Sequence, residues 1–182
     1  MVQITSVQIK KWKTWSDLIV TWITLIGTLT GAVYALFQYI DNTRADRAKE
    51  TLKFVERFES DRMYASRQRV DAALQKLEGE LINNYKKGEA VYSDCLNAGI
   101  KDSAISHDLD QIFDFYDQLQ ACSLSSLCDK DISLRFFGKY AFDLVGTIYP
   151  YMEQQQKQFG DAQYGSGIKF YFNKFKDQRK KQ

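Results

Sequence analysis

Side chains able to do chemistry are few in this chain and widely spread. His107 is the only histidine, and it stands between Ser106 and Asp108. An imidazole works as base or metal ligand only with a nucleophile or further ligands beside it. The sequence carries no G-x-S-x-G elbow, no G-x-x-x-x-G-K-[ST] phosphate loop and no G-x-G-x-x-G fingerprint, and Gly165-Ser166-Gly167 reads as a lone flexible turn. His107 is therefore expected at the surface where a helix begins. The chain as a whole is expected to be a non-enzyme, with no catalytic residues, no metal and no cofactor.

Cys95, Cys122 and Cys128 are odd in number. Their spacing suits neither a disulfide framework nor a zinc site, so they read as buried thiols of a reducing compartment. Asp110, Asp114 and Asp117 line one face of a helix. Hard cations usually take more oxygens from a closed loop, so a solvated or internally paired acidic face is expected. Arg67 falls inside an apolar stripe between Met63 and Val70. A part-buried guanidinium needs a carboxylate; Glu56, Asp110, Asp114 and Asp117 are the candidates for an internal salt bridge.

The elements that must position these groups are mostly helical. One proline and ten glycines in 182 residues leave few breaks, and 45% hydrophobic with 26% charged residues is the balance of a folded chain. Leu18–Ile40 reads LIVTWITLIGTLTGAVYALFQYI, 23 residues without a formal charge. As a helix it extends about 34 Å, enough for a hydrocarbon core of roughly 30 Å. Trp15 and Trp22 at one end and Tyr34 and Tyr39 at the other suit the two lipid–water boundaries. A buried core helix and a cleaved signal peptide with Lys10, Lys11 and Lys13 as its basic region are the alternatives. The apolar run continues past the passable cleavage site Val33-Tyr34-Ala35, so a retained signal-anchor is expected. Three basic residues precede the span, and Arg44, Arg47, Lys49, Lys53 and Arg57 follow it. That excess, with the free thiols, places the larger domain in the cytoplasm and the anchor in a bacterial inner membrane. Within the span Gly27, Gly31 and Ala35 recur every fourth residue, with Thr24 and Thr28 beside them. Such a face allows close helix pairing, with threonine hydroxyls bonding across the contact, and a homo-oligomer or a second membrane subunit is the expected partner.

The remaining periodicity predicts an all-α chain: a short tail over 1–17, the transmembrane helix over 18–40, a stalk helix over 41–59, a cytoplasmic helical bundle over 60–160 and a basic aromatic segment over 161–182. The stalk either continues the span or kinks near Asn42. A second helix runs from Ser60 to about Leu77, and the stretch Gly79–Ser103 is mixed, with one short helix around Ala90–Leu96. A strongly amphipathic helix opens at Ser106, and a long one opens near Asp131 that Pro150 should kink or interrupt.

The segment after Gly167 holds Lys169, Phe170, Phe172, Lys174, Phe175, Lys176, Arg179, Lys180 and Lys181, with Asp177 its one acid. It could rest on an anionic leaflet, stack on single-stranded nucleic acid, or dock its aromatics on the bundle and leave a basic tail. Nucleic acid is not the expected partner of a chain whose net charge is only +2.

The order of features also resembles an uncharacterised bacterial family, a domain of unknown function. The resemblance is carried by RADRAKETLKFVERFESDRMYASRQRV, IFDFYDQLQ and LVGTIYPYM, and it covers roughly Ile40 to Met152. It implies one N-terminal transmembrane helix and a helical cytoplasmic domain, with no assigned activity, and it does not extend to the tail GSGIKFYFNKFKDQRKKQ. Proteins of this design also resemble membrane effectors of bacterial defence systems that a partner holds silent. Two functions are expected: a membrane-anchored interaction or scaffold protein that assembles through its transmembrane helix and docks a cytoplasmic protein partner with its helical domain, and alternatively a membrane-perturbing effector, an oligomeric pore or depolarising protein.

Overall fold

The computed structural model describes residues 6–181, and side-chain surroundings from residue 20 onward. Among these residues there are six helices and no strand: α1 Ser6–Phe58, α2 Asp61–Tyr85, α3 Glu89–Asp102, α4 Ser106–Leu124, α5 Lys130–Phe159 and α6 Ser166–Arg179. The chain is all-α, as the periodicity predicts. It divides into two compact units, Met1–Ala45 and Asp46–Gln182.

In the first unit the apolar stretch is long and apolar enough to cross a membrane, and among the described residues none of it is buried. A core helix would be covered by its own fold; this one presents Ile23, Leu29, Leu36 and Phe37 outward. α1 passes Asn42 without a break. The flanking Lys10, Lys11, Lys13 and Trp15 have side chains outside the described residues.

The second unit has one aromatic-rich core. α4 runs through its centre, with Leu109, Ile112, Phe113, Phe115, Tyr116 and Leu119 all buried. Apolar residues at these three- and four-residue spacings cover most of the helix circumference, as a central helix requires. The former stalk belongs to this core: Phe58 is 5% exposed and Thr51 fully buried. The tail belongs to it too, because Ile168 and Tyr171 of α6 are buried.

Three boundaries differ from expectation. α2 continues through Gly79 to Tyr85 rather than ending near Leu77. A mid-helix glycine costs about 1 kcal/mol, and burial of Leu81 outweighs that at roughly 1.5–3 kcal/mol. α3 is twice the length expected, because Gly99 packs rather than punctuates: a Cβ there would lie 2.7 Å from Leu77 Cδ2. α5 passes through Pro150 without interruption. Ile148, Tyr151 and Met152, buried on both sides of the proline, hold the helix against α4 and α6 while one backbone hydrogen bond is forgone.

Candidate functional site

On α1, Thr24, Gly27, Thr28, Gly31 and Ala35 share a face by their spacing. Among the described residues a side chain at Gly27 or Gly31 would meet nothing within 4 Å. The threonine hydroxyls are placed differently from expectation. Thr24 Oγ1 donates to Val20 O and Thr28 Oγ1 to Thr24 O, both at 2.8 Å, so their protons are committed to their own helix. Only lone pairs remain to be offered across a contact.

The partners expected for Arg67 are a correction. None of Glu56, Asp110, Asp114 and Asp117 pairs with it. Its Nη2 donates to Phe58 O at 2.9 Å and to Glu59 Oε1 at 3.3 Å, and its guanidinium lies 3.9 Å from the Phe58 ring centroid. The side chain is 15% exposed. Helix phase explains this. Ser66, Val70 and Ala73 face the core at three- and four-residue spacing, and Arg69 joins them to reach α4. Arg67 is turned about 100° around the helix axis and reaches back over the α1–α2 turn instead. Burial raises the carboxyl of Asp71 above its usual range, with the Arg67 charge opposing. The phenol of Tyr140 is pushed far up for the same chief reason, burial, aided by the Asp71 charge.

The ion pair that joins α2 to α4 is one the sequence reading did not name. Arg69 Nη2 and Nε donate to the two carboxylate oxygens of Asp108, at 2.6 and 2.9 Å. This bidentate bond holds the Asp108 carboxyl below its ordinary range, despite burial pulling the other way. A lowered native pKa gives stability that is complete above the unfolded value, near 4, and is lost as pH falls through the native one. Asp108→Asn is therefore expected to flatten the acid limb: between about pH 5 and pH 2 the wild-type unfolding midpoint should fall more steeply than the variant's. Asp71 and Asp117, with carboxyls raised by burial, act with opposite sign but equally in both proteins.

The acidic face of α4 is spent on α6 and its approach. Asp110 Oδ1 accepts from the Tyr164 hydroxyl at 2.8 Å. Asp117 Oδ1 accepts from Gly167 N at 2.6 Å and from Ser166 Oγ at 3.4 Å, an anion at the positive end of α6. Burial raises the Asp117 carboxyl and these donors oppose it. Asp114 is exposed and lines a shallow cavity of about 220 Å³ with Arg57, Arg62 and Gln118. Gly165-Ser166-Gly167 is thus not a lone flexible turn but the start of α6, where a Cβ at position 167 would collide with the backbone of Tyr116 and Asp117.

α6 docks its aromatics inward. The Tyr171 and Ser123 hydroxyls are 2.7 Å apart, Phe172 stacks on Phe142 with centroids 5.3 Å apart, and Phe175 lies against the same ring at 5.8 Å. Phe170 is partly buried. Lys169 is half-covered over the Tyr149 ring and its ammonium pKa is lowered by burial. Lys174, Lys176, Arg179, Lys180 and Lys181 remain exposed.

The cysteine expectation is overturned for two of the three. Cys122 and Cys128 form a disulfide with Cα atoms 5.2 Å apart, and Cys95 alone is free. The residues between them turn sharply after α4, with Ser126 at φ +59° and both Leu127 N and Cys128 N donating to Cys122 O. That geometry, a helix C-terminus folding back on itself, brings together sulfurs that spacing alone does not. Asp129 follows immediately and caps α5, accepting from Asp131 N and Ile132 N. Its own N–H donates to Thr51 Oγ1 at 2.8 Å, which fastens the end of α1 to the disulfide turn.

His107 is exposed and its Nε2 is 2.7 Å from Gln111 Nε2, one helical turn on. Among the described residues no three His, Cys, Asp or Glu side chains are grouped to hold a metal. An apolar groove of about 430 Å³ runs between α2, Tyr92 of α3 and Thr147 of α5, lined by Leu74, Leu81, Ile82 and Tyr85. No family model, curated protein or solved structure matches the chain.

Proposed function

We propose that this chain is a membrane-anchored, non-enzymatic interaction protein. Leu18–Ile40 holds it in a bilayer, and the helical domain that begins at Asp46 meets a partner. The observation that carries this reading is the apolar stretch of α1, wholly uncovered by its own chain and therefore in need of lipid or another protein. The open Gly27–Gly31–Ala35 face supports assembly through the span, either with a second copy or with another membrane subunit. Replacing Gly27 or Gly31 by isoleucine should reduce crosslinking between copies in membranes several-fold while the domain's unfolding midpoint stays put. Crosslinking unaltered in both variants would count against assembly through this face.

The Cys122–Cys128 bond supports a topology opposite to the cytoplasmic one that the flanking charges favour. Disulfides persist on the oxidising side of a membrane, which for a bacterial inner membrane is the periplasm. The charge argument is weak by comparison, resting on five basic residues against three. We place the domain on the oxidising face. Rapid acid quenching of cells followed by thiol alkylation tests this: one modified thiol, Cys95, is expected before reduction and three after it. Three modified thiols without reduction would return the domain to the reducing side.

A further inference from the structure

At one end of the domain four features converge. The part of α1 that belongs to the domain starts there, because Asp129 N donates to Thr51 Oγ1. α4 ends there in the disulfide-closed turn. α5 begins there with Lys130. α6 runs parallel to α4, Gly167 lying at Asp117 and Tyr171 at Ser123, so its C-terminal turn projects past the end of α4 at the same place.

This end is apolar at its tip and basic beside it. Leu124 and Leu127 are 60% and 63% exposed, although their neighbours Ser123 and Cys128 are buried. The turn that carries them does not owe its shape to hydrophobic burial. It is held by the disulfide, by Ser125 N on Ala121 O, and by the two N–H groups on Cys122 O. A rigid turn that keeps two leucines in water suits a medium other than water. Beside it stand the exposed Lys174, Lys176, Arg179, Lys180 and Lys181, against Asp177 in the last turns of α6 and Asp129 and Asp131 where α5 begins.

We infer that this end of the domain is a lipid-binding surface, taking the headgroups of an anionic phospholipid bilayer. Leu124 and Leu127 enter the interfacial region, and the C-terminal basic residues of α6 contact headgroup phosphates. The occupant follows from the chemistry of the surface: two leucines held in water beside a run of lysines complement an anionic headgroup layer over hydrocarbon. The inference rests on the anchor reading above and refines the expectation for the tail: its charges meet lipid, while Phe172 and Phe175 stay on Phe142.

The test uses the full-length protein in nanodiscs of phosphatidylcholine, alone or mixed with phosphatidylglycerol. A benzophenone amino acid replaces Leu127 or, as a control at the far end of α2, Tyr85, which is also exposed. Illumination should give lipid adducts at position 127 and none at 85, several-fold more in the anionic discs. Lys180→Glu with Lys181→Glu should abolish that headgroup preference. Protein incorporated into discs but giving no adduct at 127, or equal adducts at both positions, would overturn the lipid surface and leave the anchor intact. Failure to incorporate at all would overturn both.

Discussion

Replacing Gly167 by alanine should destabilise the domain by about 3 kcal/mol, read as a fall in the denaturant midpoint of helical circular dichroism. A Cβ at this position would lie 2.5 Å from Asp117 N and closer still to the Tyr116 carbonyl. The obstacle is backbone in the middle of α4, so no rotamer change relieves it. Moving α4 would disturb Phe113 and Phe115, both buried; lifting α6 instead would lose the Asp117 carboxylate on Gly167 N and separate Tyr171 from Ser123. Gly146→Ala is the matched control. It lies inside α5 with open space around it, and alanine there should be neutral or stabilising by about 0.5–1 kcal/mol. Equal effects of the two substitutions would show that α6 does not approach α4 this closely.

Phe58→Ala should cost about 3–5 kcal/mol. Its ring lies against Phe115, Phe137 and Tyr140 at centroid distances of 5.1, 5.2 and 5.6 Å, and it carries the Arg67 guanidinium on one face. Part of the loss is cavity, and part is the exposure of a largely covered cation to a void. A double-mutant cycle with Arg67→Met separates them. A coupling of about 0.5–2 kcal/mol is expected from the cation–π contact, and strict additivity would show that the Phe58 ring does not help to hold Arg67.

What could be read from the sequence was what one helix decides for itself. The apolar run Leu18–Ile40, the start of α4 at Ser106 and the apolar stripe of α5 are written in local periodicity, and they appear where expected. What could not be read depends on two helices meeting. Gly167 looks like a turn residue until Asp117 is placed above it. Gly79 and Gly99 look like breaks until Leu81 is buried and Leu77 is seated on α3. Arg67 and Arg69 are two residues apart, and only helix phase decides which of them reaches a carboxylate on α4. The Cys122–Cys128 bond escaped for a related reason. Six residues of separation is uninformative in sequence and becomes a bond when a helix end folds back through a left-handed serine. Of the residues the proposals use, the Gly27–Gly31 spacing and the basic run of α6 stand in the sequence itself. The leucine-tipped turn beside that run does not, because exposure of Leu124 and Leu127 is a property of the fold.

The burial of Thr51 and Phe58 sets where the chain can be cut. A fragment beginning at Ser60, after the apolar stretch and the segment read as its stalk, does not isolate the helical domain. It would instead remove the ring at the centre of the aromatic cluster and the hydroxyl that receives Asp129 N. Such a fragment should express as an aggregating, partly melted helical protein. One beginning at Asp46 keeps both residues and should unfold cooperatively, so a recombinant boundary drawn fourteen residues upstream decides whether the domain folds apart from the apolar stretch.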